Sequence, residues 1–179
     1  EITRNRALLL VEIKADYLAE RVLQLVEGMN ATSQVVIQSF NPKTVNRVKL
    51  LNSAVPTALV VGKLPTAPSR VRARAMVGEV LKAGANVLSM WHAALTPQFF
   101  EEVRHRGVSV WAWTVDEQII MRDLIQMGVN GVITNHPDRL NDALEELESE
   151  GLVQVPLGRS RRQRRSRWGR RRQLKRMTR

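Results

Sequence analysis

The sequence predicts an α/β fold built on a parallel sheet, and three observations predict it. Six short runs rich in Val, Ile and Leu recur at residues 7–14, 35–40, 57–63, 86–90, 108–115 and 129–134. Most are continuously apolar rather than alternating, as strands buried on both faces are. Helical stretches separate them by short joints, the pattern of repeated strand–helix units. Pattern alone leaves open whether such a sheet is flat or closed.

Each element has its own signal. After the first run, Leu18, Val22, Leu25, Val26 and Met29 follow the i, i+4, i+7, i+8, i+11 spacing of one helix face. Asn41-Pro42 and Thr96-Pro97 each offer an N-cap side chain followed by proline at N1. Asp116 is placed to cap the helix that follows it. Gly84, Gly107 and Gly128 each stand just before a strand, where a helix ends on a left-handed residue. Leu140, Ala143, Leu144 and Leu147 give the face of the last helix.

The chain has 179 residues and a formal net charge of +11. Residues 159–179 hold 12 of the 28 basic side chains and none of the 17 acidic ones, so the other 158 carry 16 − 17 = −1. The basicity therefore belongs to the C-terminal segment and says nothing about the chemistry of the body. Composition breaks after Pro156, which places a boundary near 151–158: residues 1–152 as the folded body, 153–179 as an Arg-rich disordered tail. Such a tail binds polyanions, either nucleic acid or an anionic membrane. Its 11 Arg against one Lys also suit an unselected extension, such as an out-of-frame read, and this bland reading has the edge.

Cysteine is absent, which excludes disulfides and thiolate metal sites. No apolar run approaches the ~20 residues of a membrane span. The sequence opens on Glu1 without a signal-peptide pattern and enters a strand almost at once, so a partial sequence is expected. The expected location is cytoplasmic or membrane-associated.

Candidate chemistry sits at the strand ends, where ligands bind in parallel α/β folds. A strand alternates faces with period two, so Glu12 and Lys14 point the same way. A carboxylate there can hold a hard divalent cation, and an ammonium can meet a phosphate; equally, the two can simply pair with neighbouring charges. Trp111 and Trp113 share the face opposite Ala112 and Thr114. A tryptophan there can wall a small ligand, although a buried one more often belongs to the core. Ser39, Thr134 and Asn135 are most simply caps. His92, His105 and His136 show no metal-ligand spacing, and His105-Arg106-Gly107 reads as a helix end.

Four segments, taken in order, resemble the glycerophosphodiester phosphodiesterase family: Val11-Glu12-Ile13-Lys14, Ile37-Gln38-Ser39-Phe40-Asn41-Pro42, Val110-Trp111-Ala112-Trp113-Thr114-Val115-Asp116, and the stretch from Gly128 to Pro137. The similarity runs from about Ala7 to about Leu147. It implies part of a TIM (β/α)8 barrel, because a full one needs ~250 residues and the body suits five or six strand–helix units. It also implies metal-dependent hydrolysis of glycerophosphodiesters to glycerol 3-phosphate and an alcohol. Glu12 matches a ligand to the divalent metal, Ca2+ or Mg2+; Lys14 matches the lysine facing the substrate phosphate. Trp113 matches the aromatic beside the glycerol, and Phe40 matches a pocket aromatic.

The family's two catalytic histidines belong to motifs that would precede Glu1, so residues 1–179 alone are expected to be inactive. Three motif-bearing strands upstream and six here would make nine. One segment, 57–63 or 86–90, is therefore expected to fall outside the barrel wall. Two other readings compete. One is a catalytically inactive half-barrel whose basic tail binds polyanions; the other is a different phosphate-handling barrel in which Glu12 and Lys14 do other work.

Overall fold

A computed structural model describes residues 7–154. All but the first two residues of the expected tail, and with them half of the proposed boundary region 151–158, lie outside the described residues. The six apolar runs form six strands: β1 Leu9–Glu12, β2 Val35–Ser39, β3 Thr57–Val61, β4 Val87–Trp91, β5 Ser109–Trp113 and β6 Gly131–Val132. All pairings are parallel and the strands lie in chain order, so each strand–helix unit adds the next stave of one wall. Both 57–63 and 86–90 contribute staves, which corrects the expectation that one of them lies outside. The wall is open: β1 pairs with β2 alone and β6 with β5 alone among the described residues.

The helices are α1 Ala19–Gly28, α2 Pro42–Leu51, α3 Arg70–Ala83, α4 Pro97–Arg104, α5 Gln118–Met127 and α6 Pro137–Ser149. Alternate strand residues pack against them. Leu59, Leu88, Met90, Val110 and Ala112 join Met76, Val80, Phe99, Val103, Met121 and Leu124 in the main core. Ile13, Val35 and Ile37 join Ala19, Leu23, Val26 and Val48 in a smaller core under α1. The other strand face carries Val36, Gln38, Ala58, Val60, Val87 and Ser89, buried but outside both clusters. The result is a half-barrel with helices outside and a second lining inside.

Asn41 and Thr96 cap α2 and α4 as expected, accepting from the backbone N–H of Lys43 and Phe99. Gly84, Gly107 and Gly128 have φ of 69°, 73° and 93°, the left-handed endings that their positions predict. Two expectations fail. The buried face of α1 is Ala19, Leu23 and Val26, while Leu25 and Met29 are 56% and 65% exposed. The period is right but the phase is off, because contact with Ile13, Val35 and Ile37 selects the face holding Leu23. Asp116 caps no helix: α5 starts at Gln118 after Glu117, and the Asp116 carboxylate turns instead to the end of β6.

Candidate active site at the strand ends

The site follows from register. Glu12 stands opposite Gln38, Gln38 opposite Ala58, Ala58 opposite Val87, and Val87 opposite Ser109. The next inward row runs Val60, Ser89, Trp111 and Gly131, and Trp91 stands opposite Trp113. Helix-facing residues have the other parity, so Glu12, Gln38, Ser89, Trp111 and Trp113 share the interior lining. Phe40, just beyond β2, meets Trp113 at the end of β5 edge-to-face, ring centroids 5.7 Å apart and planes at 84°. Since β2 and β5 are not neighbours, this contact spans the mouth of the half-barrel.

Glu12 and Lys14 lie on the same side at the end of β1, as period two requires. Their Oε1–Nζ separation is 3.9 Å, and the Lys14 side chain is 85% exposed. An exposed pair at that distance is weak, so the ammonium can swing to another anion at little cost. Glu12 Oε2 accepts a hydrogen bond from Gln38 Nε2 at 3.3 Å. Neither tryptophan of β5 joins a core cluster; both are half-buried and face the interior. The usual core assignment for a buried tryptophan does not apply here.

Among the described residues, four buried side-chain polar atoms have no hydrogen-bond partner, and three of them are Gln38 Oε1, Ser89 Oγ and Trp113 Nε1. All three belong to the inward lining. Leaving such an atom unpaired costs roughly 1–3 kcal/mol, and a polar lining of this kind suits a ligand-binding interior. Sequence reading passed over Gln38 and Ser89. The signal was present, because each is the polar interruption of an apolar run, at the parity that Phe40 and Trp113 set.

The remaining candidates are structural ties. Ser39 Oγ donates to the Ile13 carbonyl at 2.7 Å. Thr134 Oγ1 donates to Asp116 Oδ1 at 3.1 Å, and the Asn135 backbone N–H and side-chain amide donate to the same carboxylate at 2.9 and 3.0 Å. These bonds, the Asn135 side-chain one foremost, hold the Asp116 carboxyl below the usual aspartate range. His105 ends α4 and pairs with Glu101 at 3.3 Å, as a helix-end residue would. A cleft of about 490 Å3 lies between α2 and α3 on the outer surface, lined by residues such as Asn46, Leu50 and Lys82. It contains none of Glu12, Lys14, Phe40 or Trp113.

No group of three or more His, Cys, Asp or Glu side chains gathers among the described residues. Glu12 is a carboxylate, the donor type that a hard cation takes, and would supply one oxygen of the roughly six to eight that an ion such as calcium binds. The unpartnered Gln38 Oε1 beside it is consistent with a polar group in that space.

Parallel strands in chain order, helices on the outer face and polar and aromatic side chains at the C-terminal mouth define half of a (β/α) barrel. The profile of the Glycerophosphoryl diester phosphodiesterase family matches residues 5–139, and the chain belongs to that family. It is 28% identical over 134 residues to YhdW of Bacillus subtilis, which carries a glycerophosphodiester phosphodiesterase name, covering 73% of this chain and 53% of that one. A solved structure of a protein named for the same activity, from Silicibacter pomeroyi, superposes with a TM-score of 0.68 at 23% identity, over 79% of this chain and 51% of that one. A phosphodiesterase from Oleispira antarctica, solved with the product sn-glycerol-3-phosphate, gives 0.62 at 18% identity, over 77% and 55%. The chain thus spans about half the length of the curated relatives it matches.

Proposed function

We propose that this chain forms the C-terminal wall of a glycerophosphodiester phosphodiesterase, which hydrolyses a glycerophosphodiester to glycerol 3-phosphate and an alcohol. The observation that carries the reading is a pair of contacts at the C-terminal strand ends, Glu12 with Lys14 and Phe40 with Trp113, in a chain of that family.

In this reading water attacks phosphorus, the P–O bond to the alcohol breaks, and the alcohol leaves with a proton. The Lys14 ammonium contacts a non-bridging phosphate oxygen as negative charge develops there. Phe40 and Trp113, held edge-to-face, wall the glycerol and fix its orientation. Glu12 would supply one ligand to a divalent metal, Ca2+ or Mg2+, which when bound would neutralise charge on the phosphate. The general acid and base, two histidines in the family pattern, come from outside the described residues, as do the other metal ligands.

The test uses protein expressed from the complete coding sequence, beside residues 1–179 alone, with glycerophosphocholine as substrate. The complete protein should release glycerol 3-phosphate in a reaction that chelator stops. Glu12→Gln should lower its kcat by about a hundredfold or more, the scale of losing one preorganised electrostatic contact. Residues 1–179 alone should show no turnover. Metal-dependent turnover that survives Glu12→Gln would favour a different use of this barrel mouth.

A further inference from the structure

Gln38 is a long polar side chain at the fourth of the five positions of β2, 8% exposed, directly after the apolar run 35–37. Two contacts of different kinds tie it to the end of β1. Its carbonyl accepts from the Ile13 backbone N–H at 2.8 Å, and its side-chain amide donates to Glu12 Oε2 at 3.3 Å. Ser39 adds a third tie by donating to the Ile13 carbonyl at 2.7 Å. β1 has four residues and pairs only with β2 among the described residues. The placement of the Glu12 carboxylate therefore depends on β2, and Gln38 is the β2 side chain that hydrogen-bonds it.

The chemistry of the amide suits that task. The Glu12 contact fixes which end of the amide points where, because the reverse orientation would set two oxygens against each other at the same distance. A lysine or arginine at position 38 would also donate, but would neutralise the carboxylate and compete with a cation for it. Glutamine orients the carboxylate and leaves its charge available. Its own oxygen then remains buried and unpartnered on the same inward face.

We propose that Gln38 is the positioning residue for Glu12: it holds the carboxylate in a cation-ready orientation without neutralising it. The inference rests on the reading of Glu12 as a metal ligand. Partners that orient a metal ligand are worth about 10–100-fold in metal affinity, and that is the effect expected here.

The experiment is calorimetric titration with Ca2+ and with Mg2+ alone, without substrate, on protein from the complete coding sequence. The variants are Glu12→Gln, Gln38→Met and Gln38→Asn. Methionine keeps the length and removes the donor, whereas asparagine keeps the amide but withdraws it by one methylene. Each Gln38 variant should weaken the titration midpoint about 10–100-fold while leaving the metal-free melting temperature near that of the parent. Glu12→Gln should abolish the titration. Unchanged midpoints for the Gln38 variants, with the titration lost in Glu12→Gln, would overturn the positioning role and leave the metal reading standing. A titration that survives Glu12→Gln would overturn the metal reading itself. Should Gln38→Met fail to fold, Gln38→Asn decides, since it buries no new apolar surface beside Glu12.

Discussion

Gly131 shows how tightly single residues are specified in the lining. A Cβ at this position would meet Trp111 Cδ1 at 2.8 Å, closer than side chains pack. The neighbour is a rigid indole in register with it across the β5–β6 ladder, so relief requires the ring or the strand to move. Gly131→Ala is expected to destabilise the fold by about 1–3 kcal/mol, the usual cost of overpacking. A denaturant series followed by tryptophan fluorescence checks this, and an unchanged midpoint would show that the ring yields freely. The requirement is steric at this site, since Gly131 is not among the glycines with positive φ.

Between elements, the Asp116 carboxylate ties the end of β5 to the start of α6. β6 has only two residues, Gly131 and Val132, too few to hold the last unit by ladder bonds alone. Three hydrogen bonds into Asp116, from Thr134 Oγ1 and from the backbone and side chain of Asn135, add to them, and Arg139 donates to the Asp116 carbonyl at 3.0 Å. These bonds depress the folded-state pKa of Asp116. A depressed carboxyl contributes stability that is fully present above its unfolded pKa and is lost as pH falls through the folded value. Unfolding midpoints should therefore decline as pH drops below the ordinary aspartate value of ~3.9. Asp116→Asn should lower stability at neutral pH and flatten part of that decline. Parallel acid profiles for the two proteins would mean that the clamp carries none of the acid sensitivity.

At the scale of the whole molecule, the open wall leaves apolar surface at its first edge. Leu8, Leu9 and Leu10 are 68%, 40% and 38% exposed, and the β1 backbone beside them has a free ladder side among the described residues. Unpaired apolar edges template association. Residues 1–179 in isolation are expected to self-associate or precipitate as concentration rises, which sedimentation velocity over a concentration series would detect. A monodisperse, cooperatively melting monomer would show that the half-wall is self-sufficient.

The sequence by itself determined the six strands, their parallel character and the caps at Asn41 and Thr96, because these depend on local apolar runs and on side chains within three residues of the backbone they satisfy. It also placed Glu12 with Lys14, and Trp111 with Trp113, each pair on one face of its own strand, because strand parity is a local property. Only the tertiary structure decided what crosses between elements. Phe40 and Trp113 are 73 positions apart in sequence, and their contact exists because β2 and β5 are bent toward a common interior. The phase of α1 was set by Ile13, Val35 and Ile37 rather than by its own spacing. Asp116 carries a helix-capping residue type, yet it lies one residue before the N-cap Glu117, and Thr134 and Asn135 took its carboxylate. Gln38 gains its partner only through register, which sets it opposite Glu12 on the neighbouring strand. Local chemistry sets which conformations a segment can adopt, and long-range packing selects the side chain that finds a partner.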